Sequence, residues 1–435
     1  MRLSPWTEAV TSSRQGGVRA TDWSLHVSES RRLSLQTKDR ETGNAHAPLM
    51  LTDSCTAHYL ITWEDGLVSR GSLERRELED DAAVALTAAR AAAYDDPDAA
   101  YVLGPADFPQ VRLEDERIAR AVAGERAPLF ERWREVHEKV QSGGFSTWSG
   151  SFHVSEAESR VVTSRGLDVA SRGTLLTWFV NVDGEIGAGH ITRAFEPLRE
   201  YSARLDRLMD YARRLREPAA TMPGGVHDVV LHPAVVETLV LGTLLHHLDA
   251  ATVAHGEGRF RRELFGSQKP VLRDDLTLRL DPLIPLRAGS YRFTHEGLPA
   301  AACTYVQHGR LITPVAGLKY ARRLGSKPTP IPYALDTVFL EGPELLSEGD
   351  AFAAAVGGAL VLNVLGVHTL DAASGDFSLS APQVLRLGPS GPEGRLRATI
   401  SGNLFGVLSS EAVRLVRFEG EHAPGLWLRC RLDPK

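Results

Sequence analysis

The residues best suited to chemistry lie just past the middle of the chain, where a short apolar strand runs into a helix. His232 closes the strand 229–231 and Pro233 opens the helix, as in several metallopeptidases that present a metal ligand this way. A zinc hydrolase needs at least three converging ligands, often two histidines one helical turn apart, with a glutamate beside them as general base. Pro233 stands where that glutamate would be expected, so this segment lacks the base.

The other candidate ligands are poorly spaced for a regular helix. Glu237 follows His232 by five residues, about 140° around the axis at ~100° per residue. His246 lies roughly 21 Å along the axis from His232 at 1.5 Å per residue, and His247 is no nearer. Because Zn–N bonds are about 2 Å long, a shared ion would require a break in the helix, for which Gly242 is the candidate. We therefore favour His232 as a capping or hydrogen-bonded core histidine over a metal ligand.

Two further groups near this helix favour structural roles. His246 and Asp249 are three residues apart, which predicts an ion pair or hydrogen bond on the helix surface. The segment Phe293-Thr294-His295-Glu296-Gly297 is typical of a strand end followed by a turn. A G-x-S-x-G elbow and the phosphate-binding glycine motifs are missing from the sequence, so neither a serine hydrolase nor a nucleotide-binding protein is indicated.

Composition excludes several other classes. The chain has 435 residues, 43% of them hydrophobic, and a formal charge of −6, which argues against global disorder and against a broad basic face for nucleic acid. Its 3 cysteines form no C-x-x-C pair, so a zinc ribbon is not indicated and a reducing, cytoplasmic location is expected. No apolar leader is evident, and the longest apolar run, 239–248, is too short and polar to span a membrane.

Periodicity predicts an α+β protein with an N-terminal α/β region at 1–216, a linker at 217–225 and a C-terminal β-rich domain at 226–435. Period-two alternation, as in 23–28, indicates strands, and Asp65-Gly66 between apolar runs predicts a hairpin. Two prolines and two glycines in 217–225 cannot continue a helix, which indicates the boundary. Within the first region we expect strands over 20–70 and 151–190, and helices over 80–140 and 197–216.

Beyond the linker the pattern is mainly that of strands, with two helices. One helix is predicted over 233–251, and another from Ser347, where a short polar segment resembles a helix N-terminus. The clearest strands are expected at 276–280, 302–306, 361–367 and 426–430.

The order of these features resembles the TldD/PmbA family, the modulator-of-gyrase type of metallopeptidase. The similarity rests on the strand and helix around His232 and on later motifs, namely Leu276-Thr277-Leu278 with Asp281-Pro282, Phe293-Thr294-His295-Glu296-Gly297-Leu298-Pro299, Gly309-Arg310-Leu311, Ser374-Gly375-Asp376-Phe377-Ser378 and Thr399-Ile400-Ser401-Gly402-Asn403-Leu404. The last two resemble the TldE (PmbA) branch. The resemblance implies an N-terminal α/β part, a C-terminal barrel-like part, and a shielded cavity that holds unfolded peptide partly by strand addition.

In this family a TldD-type subunit holds the metal with a His-Glu-x-x-x-His helix and a cysteine near its C-terminus, and a TldE-type subunit completes a heterodimer. Carried over, His232 falls on the first histidine, Pro233 replaces the glutamate, and Glu237 falls on the second histidine. Cys430 is at about the right distance from the end, but it lies in an alternating strand. The resemblance therefore implies a TldE-like, non-catalytic subunit that holds no metal or cofactor, paired with a TldD-like subunit that carries zinc.

Two alternatives stay open. The chain could be a metallohydrolase in its own right, with a rearranged site drawn from His232, Glu237, His246, His247 and Cys430, all acceptable zinc ligands. It could also be an accessory protein of a biosynthetic pathway, because a fold does not fix a function. Expected substrates of a two-component peptidase are precursors of modified peptide natural products or unfolded antitoxins.

Overall fold

A computed structural model describes residues 4–37, 46–99, 101–145, 147–218, 220–342, 345–367, 370–371 and 373–435. The N-terminal part contains one antiparallel sheet of six strands, in the order β3-β2-β1-β4-β5-β6. Its strands are β1 (Ala20–Thr37), β2 (His46–Trp63), β3 (Val68–Leu73), β4 (Trp148–Thr163), β5 (Asp168–Val182) and β6 (Ile186–Thr192). The hairpin predicted at Asp65-Gly66 joins β2 to β3, where Gly66 adopts the positive φ of +83° that the turn requires.

Helices cover one face of this sheet. They are α1 (Ser4–Ser12), α2 (Arg75–Glu79), α3 (Ala82–Ala91), α4 (Glu116–Ala123), α5 (Ala127–Ser142) and α6 (Leu198–Arg214). Alternate residues of β1 point into the two cores beneath these helices: Leu25 and Val27 pack with α1 to α3, and Leu33 and Leu35 pack with α4 to α6. The intervening residues of β1 lie on the opposite face, which is polar. Strand alternation thus separates an apolar face from a polar one.

The C-terminal part contains a closed barrel of five strands. They are β7 (Gly225–Leu231), β13 (Ala359–Leu365), β14 (Asp376–Gly388), β15 (Gly391–Asn403) and β17 (Gly425–Pro434). Neighbouring strands pair in the order β7-β13-β14-β15-β17, and β17 then pairs with β7, which closes the ring. The short strands β12 (Leu345–Ser347) and β16 (Arg414–Arg417) extend the sheet beside β17. The predicted α+β class with a barrel-like C-terminal part is therefore confirmed.

A second, four-stranded sheet lies in the chain between β7 and β12. Its order is β10-β9-β8-β11, from β8 (Thr277–Leu280), β9 (Cys303–Gln307), β10 (Arg310–Leu311) and β11 (Val338–Glu341). Apolar residues of β8, β9 and β11 join the barrel strands in one core. The helices of this part include α10 (Leu318–Leu324), α11 (Glu348–Ala354) and α12 (Leu404–Leu408). Ser347 caps α11 through its side chain, as predicted.

The helix after His232 departs from prediction in two ways. It consists of an α-helical turn α7 (Pro233–Val235), a π-helical stretch (Val236–Leu241) and α8 (Gly242–Leu248), so Gly242 does not break it. It ends at Leu248 and not at 251, because Asp249 leaves the helical conformation and caps α9 (Ala250–His255). The expectation that a break at Gly242 brings distant ligands together is therefore wrong.

The segment 217–225 separates α6 from β7, and the domain boundaries proposed there stay a prediction. Among the residues that the structure describes, no helix is long and apolar enough to cross a membrane.

Candidate functional site

His232 caps the helix, as the sequence predicted. Its Nδ1 accepts a hydrogen bond of 3.3 Å from the backbone N–H of Ala234. Its ring packs edge-on against Tyr211 of α6 and Phe418, with ring centres 5.8 and 5.2 Å apart. Burial, together with the charge of Arg207, lowers the pKa of His232 to about 3, so the imidazole is uncharged at neutral pH.

Glu237 lies on the π-helical stretch. The carbonyl of Glu237 accepts from the N–H of Gly242, five residues on, so the 100° step of a regular α-helix does not apply beyond Glu237. The chain from His232 to Val235 is capped and α-helical, so the angular estimate between His232 and Glu237 stays a prediction. The two side chains nevertheless have different surroundings, since His232 lies among aromatic rings and Glu237 near charged groups.

Charged side chains from three segments lie near Glu237, namely Arg204 on α6, Asp336 before β11 and Glu421 before β17. His190 on β6 and His422 before β17 lie near the same charged groups. We call these residues, with Glu237, the Glu237 cluster. It joins the N-terminal sheet, the barrel and the four-stranded sheet at one point.

Hydrogen bonds and ion pairs hold the cluster together. Arg204 bridges two carboxylates, at 3.4 Å to Glu196 and 3.5 Å to Glu421, with only 17% of its side chain exposed. Asp336 accepts from the backbone N–H groups of Ala288 at 2.6 Å and Gly289 at 2.8 Å. The ring of His422 stacks edge-on against Phe339 of β11, with centres 5.0 Å apart. These contacts restrain the charged groups, since their side chains are already engaged.

Burial in the cluster disfavours the charged forms of Glu237, His190 and His422. Burial, reinforced by the charges of Glu421 and Asp336, raises the pKa of Glu237 to about 7, although Arg204 opposes the shift. Burial and neighbouring cations lower the pKa of His190 to about 3 and that of His422 to about 4. Glu237 is thus divided between acid and carboxylate at neutral pH, which suits a group that donates or accepts one proton.

His246 and its neighbour His247 lie at the end of the helix that is farther from His232. His246 is exposed, and the pair that it was predicted to form with Asp249 is replaced by capping, since the Asp249 carboxylate accepts from Ala251 and Thr252. His247 is fully buried, accepts a 2.9 Å hydrogen bond from the N–H of Arg259, and packs against Phe405. Both histidines lie in the last turn of α8, far along the helix from His232.

Cys430 is a strand residue, as its alternating setting predicted. It lies in β17 opposite His227 of β7, and 5% of it is exposed. Burial raises the pKa of its thiol to about 12, which disfavours the thiolate that a metal would need.

The residues at the family's metal positions do not fit a zinc site of that kind. His232 uses Nδ1 as a cap, Pro233 has no ligating group, and the Cys430 thiol is buried in a strand. In the described ranges, no three His, Cys, Asp or Glu side chains are grouped so that they could hold a metal ion. The cationic group beside Glu237 is instead Arg204.

Sequence reasoning missed Arg204, Asp336, Glu421, His422 and His190. The available signal was the presence of Arg204 and Arg207 on the amphipathic helix 198–214, because arginines that flank a buried apolar stripe often pair at an interface. The other four are far apart in sequence, so only the fold brings them together.

The C-terminal part of the sequence and the fold of the chain are similar to those of known proteins. Residues 224–418 match the family described as the PmbA/TldA metallopeptidase C-terminal domain. This segment carries the C-terminal domain of the TldD/PmbA family. No curated protein matches the chain in sequence.

Solved structures with the same fold span all or nearly all of the chain. A protein described as a modulator of DNA gyrase from Thermotoga maritima MSB8 has a TM-score of 0.78 at 16% identity, covering 100% of both chains. Another described in the same way, from Bacteroides thetaiotaomicron VPI-5482, has a TM-score of 0.76 at 16% identity, covering 100% of this chain and 98% of that one. TldE from Thermococcus kodakarensis has a TM-score of 0.75 at 15% identity, covering 95% of this chain and 96% of that one. At these identities the likeness shows the fold.

Proposed function

We propose that this chain is a TldE-like subunit of a two-component peptidase, in which a TldD-like partner carries zinc and cleaves unfolded or precursor peptides. The observation that carries the proposal is the engagement of His232 as a helix cap between Tyr211 and Phe418, next to Pro233. The fold of the family is kept while the residues at its metal positions serve other purposes. A subunit of this kind contributes by shielding the partner's site from water and by orienting the peptide.

A peptide contact on this chain is best placed at β6. This strand ends the N-terminal sheet, and before Thr192, which is bridged to Arg287, it offers an edge to which an extended peptide can add by backbone hydrogen bonds. Phe179 and Ile191, each 46% exposed, lie on one face beside this edge, and His190 on the other face belongs to the Glu237 cluster. A peptide added there would pass its alternate side chains over an apolar surface and a polar one.

Glu237 is the observation that favours the alternative of a stand-alone hydrolase. A buried glutamate with a pKa of about 7 has the protonation behaviour of a general acid or base. The experiment below separates this alternative from the leading proposal.

Metal content measured by elemental mass spectrometry tests the proposal. The chain is purified alone and together with a TldD-like protein encoded in the same genome. We expect about one zinc per heterodimer, retained when His232→Ala is introduced in this chain, together with peptidase activity that only the pair shows. Stoichiometric zinc in the lone chain that His232→Ala or Glu237→Ala removes, or peptidase activity of the lone chain lost in Glu237→Gln, would overturn the proposal.

A further inference from the structure

A small cavity lies between the polar face of the N-terminal sheet and the loop 290–295 of the C-terminal part. Its volume is about 240 Å³, and neither aspartate nor glutamate is among the described residues that line it. Arginine side chains and several hydroxyl groups line it instead. Such a lining favours an anion, because both kinds of group donate hydrogen bonds to carboxylate or phosphate oxygens. Neither the proposed function nor the Glu237 cluster uses this cavity.

A row of three serines forms the floor of the cavity. Ser28 of β1 is directly opposite Ser159 of β4, which is directly opposite Ser171 of β5. Directly paired residues of a sheet point to the same face, so the three hydroxyls share the polar face. Ser159 Oγ is 2.9 Å from Nε2 of His26, whereas within the described ranges no hydrogen bond engages the hydroxyls of Ser28 and Ser171. Two hydroxyls are therefore available to a ligand.

Two arginines of the cavity have no carboxylate partner in the described part of the chain. Arg193 donates only to backbone carbonyl oxygens. Arg292 also donates to carbonyl oxygens, from Nε to Pro109 at 3.0 Å and from Nη1 to Ala170 at 3.2 Å. These bonds fix the guanidinium of Arg292 and leave its Nη2 for a further acceptor.

The other charged groups nearby are already engaged. Arg172, the third arginine of the cavity, donates to Glu158 at 2.9 Å. Asp336 acts on Arg193 through its charge, but its carboxylate accepts from two backbone N–H groups. Arg292 therefore carries the positive charge that is most available to a ligand. A partly buried cation without a counter-ion is costly, and a bound anion offsets that cost.

We propose that this cavity binds a carboxylate group, carried either by a small organic acid or by the C-terminus of a peptide. Arg292 supplies the charge, and Ser28 and Ser171 supply hydroxyl donors. Leu113 and Phe293 add apolar surface for the carbon atoms next to the carboxylate. This surface is the reason to favour a carboxylate over an inorganic ion, which has no apolar part to bury.

A larger cleft continues from the cavity along the polar face of the sheet. It has a volume of about 760 Å³, and His26 and His295 line both spaces. Tyr101, which is 42% exposed, and Leu318 line the larger cleft as well. A peptide whose last residue occupies the cavity has room there for the residues before it, whereas a free organic acid does not use this space. The two sources of the carboxylate therefore differ in affinity.

Isothermal titration calorimetry of the full chain tests the proposal with a hexapeptide that ends in leucine, its C-terminal amide, and N-acetyl-leucine. We expect saturable binding of the peptide acid and at least tenfold weaker binding of the amide, because the amide lacks the charge. A peptide acid that binds at least tenfold more tightly than N-acetyl-leucine assigns the site to a peptide C-terminus. Equal affinities assign it to a small organic acid, and either result supports a carboxylate site.

Two variants and a matched control test the residues. Arg292→Met removes the charge and Ser171→Asp adds a competing carboxylate, so each is expected to weaken binding of the acid at least tenfold. Arg213→Met removes an arginine of α6 that is 54% exposed and pairs with Asp210, and it is expected to leave the affinity unchanged. Far-ultraviolet circular dichroism verifies that each variant is folded. Ser171→Asp lies on the polar face of the sheet, so it remains informative if Arg292→Met does not fold.

Three outcomes would overturn the proposal. They are the absence of saturable binding of both acids, equal affinity for the peptide acid and its amide, and unchanged affinity in the folded variants among Arg292→Met and Ser171→Asp. Since neither zinc nor the partner is present in this titration, failure here leaves the heterodimer test unaffected.

Discussion

At the scale of single residues, Glu237 holds a carboxyl group in surroundings that disfavour its charge. Burial and the charges of Glu421 and Asp336 raise its pKa from 4.5 to about 7, against the opposing effect of Arg204. In the window between these two values the folded protein binds more protons than the unfolded chain. The free energy of unfolding therefore falls as the pH rises from about 4.5 to about 7. Above about pH 7 the loss stays constant.

Glu237→Gln is expected to stabilise the protein above pH 7 and to leave it nearly unchanged at pH 4.5. The substitution keeps the shape and removes the ionisation, which costs about 3 kcal/mol in the wild type. Urea unfolding at the two pH values measures the difference. Glu263→Gln, at an exposed glutamate, serves as the control and should shift the free energy of unfolding by less than about 0.5 kcal/mol. Equal or lower stability of Glu237→Gln at pH 8 would contradict the argument.

At the scale of elements, Asp249 ends one helix and begins the next. Its carboxylate accepts hydrogen bonds from the N–H groups of Ala251 at 3.0 Å and Thr252 at 3.1 Å. These are N–H groups in the first turn of α9, which lack partners within the helix. The direction of the chain after α8 therefore depends on this one side chain.

Asp249→Ala is expected to lower the free energy of unfolding by about 1–2 kcal/mol, because it removes the cap. Asp249→Asn, which keeps a capping oxygen, should lose less than half of that amount. Urea denaturation of the two variants and of His246→Ala provides the measurement. If His246→Ala destabilised the protein as much as Asp249→Ala, the pair predicted from the sequence would be the main interaction and the cap a minor one.

Local sequence signals predicted individual helices, strands and turns well. They predicted less well how these elements pack and pair with one another. The hairpin at Asp65-Gly66, the cap at Ser347 and the helix 198–214 follow from rules that act within a few residues. The π-helical stretch 236–241 does not, because its apolar residues have the same spacing in α- and π-helices and tertiary packing decides between them. Likewise, alternation predicted the core strand Leu426–Cys430 of β17, but the pairing of that strand with β7 depends on contacts between distant residues.

The candidate site was predictable only in part for the same reason. His232 and Pro233 are adjacent, so their capping arrangement is a local property. Glu237, Arg204 and Glu421 meet because α6, the π-helix and the segment before β17 pack together. The pKa shift of Glu237 depends on burial, which the sequence alone does not give.

At the scale of the whole molecule, Arg193 connects the N-terminal sheet to the C-terminal part. Its guanidinium donates to the carbonyl oxygens of Arg287 at 3.0 Å and Ser290 at 2.9 Å, and to Thr174 in β5 at 3.3 Å. Burial lowers the pKa of Arg193, while Asp336 opposes the shift. The side chain thus joins β5 to the loop 287–290.

Arg193→Met is expected to lower the free energy of unfolding by about 3 kcal/mol, since three carbonyl groups lose a charged donor at once. Arg193→Lys should recover less than half, because an ammonium group cannot reproduce the fork of guanidinium donors. Arg172→Met, at a side chain that is 73% exposed and paired with Glu158, is the control and should cost under about 1 kcal/mol. An effect of Arg193→Met no larger than that of Arg172→Met would show that this connection is not important for stability.

The pairing of β7 with β17 has a consequence for how the protein is made in the cell. β7 is the first barrel strand to be synthesised and β17 is the last, so the ring cannot close during translation of the intervening residues. Domains synthesised earlier can fold while the ribosome is still working, but this barrel cannot close before β17 has been synthesised. Until then one edge of β7 stays unpaired and able to join other nascent chains. We therefore expect the yield of folded protein to depend on slow synthesis at low temperature and on chaperones that shield this edge.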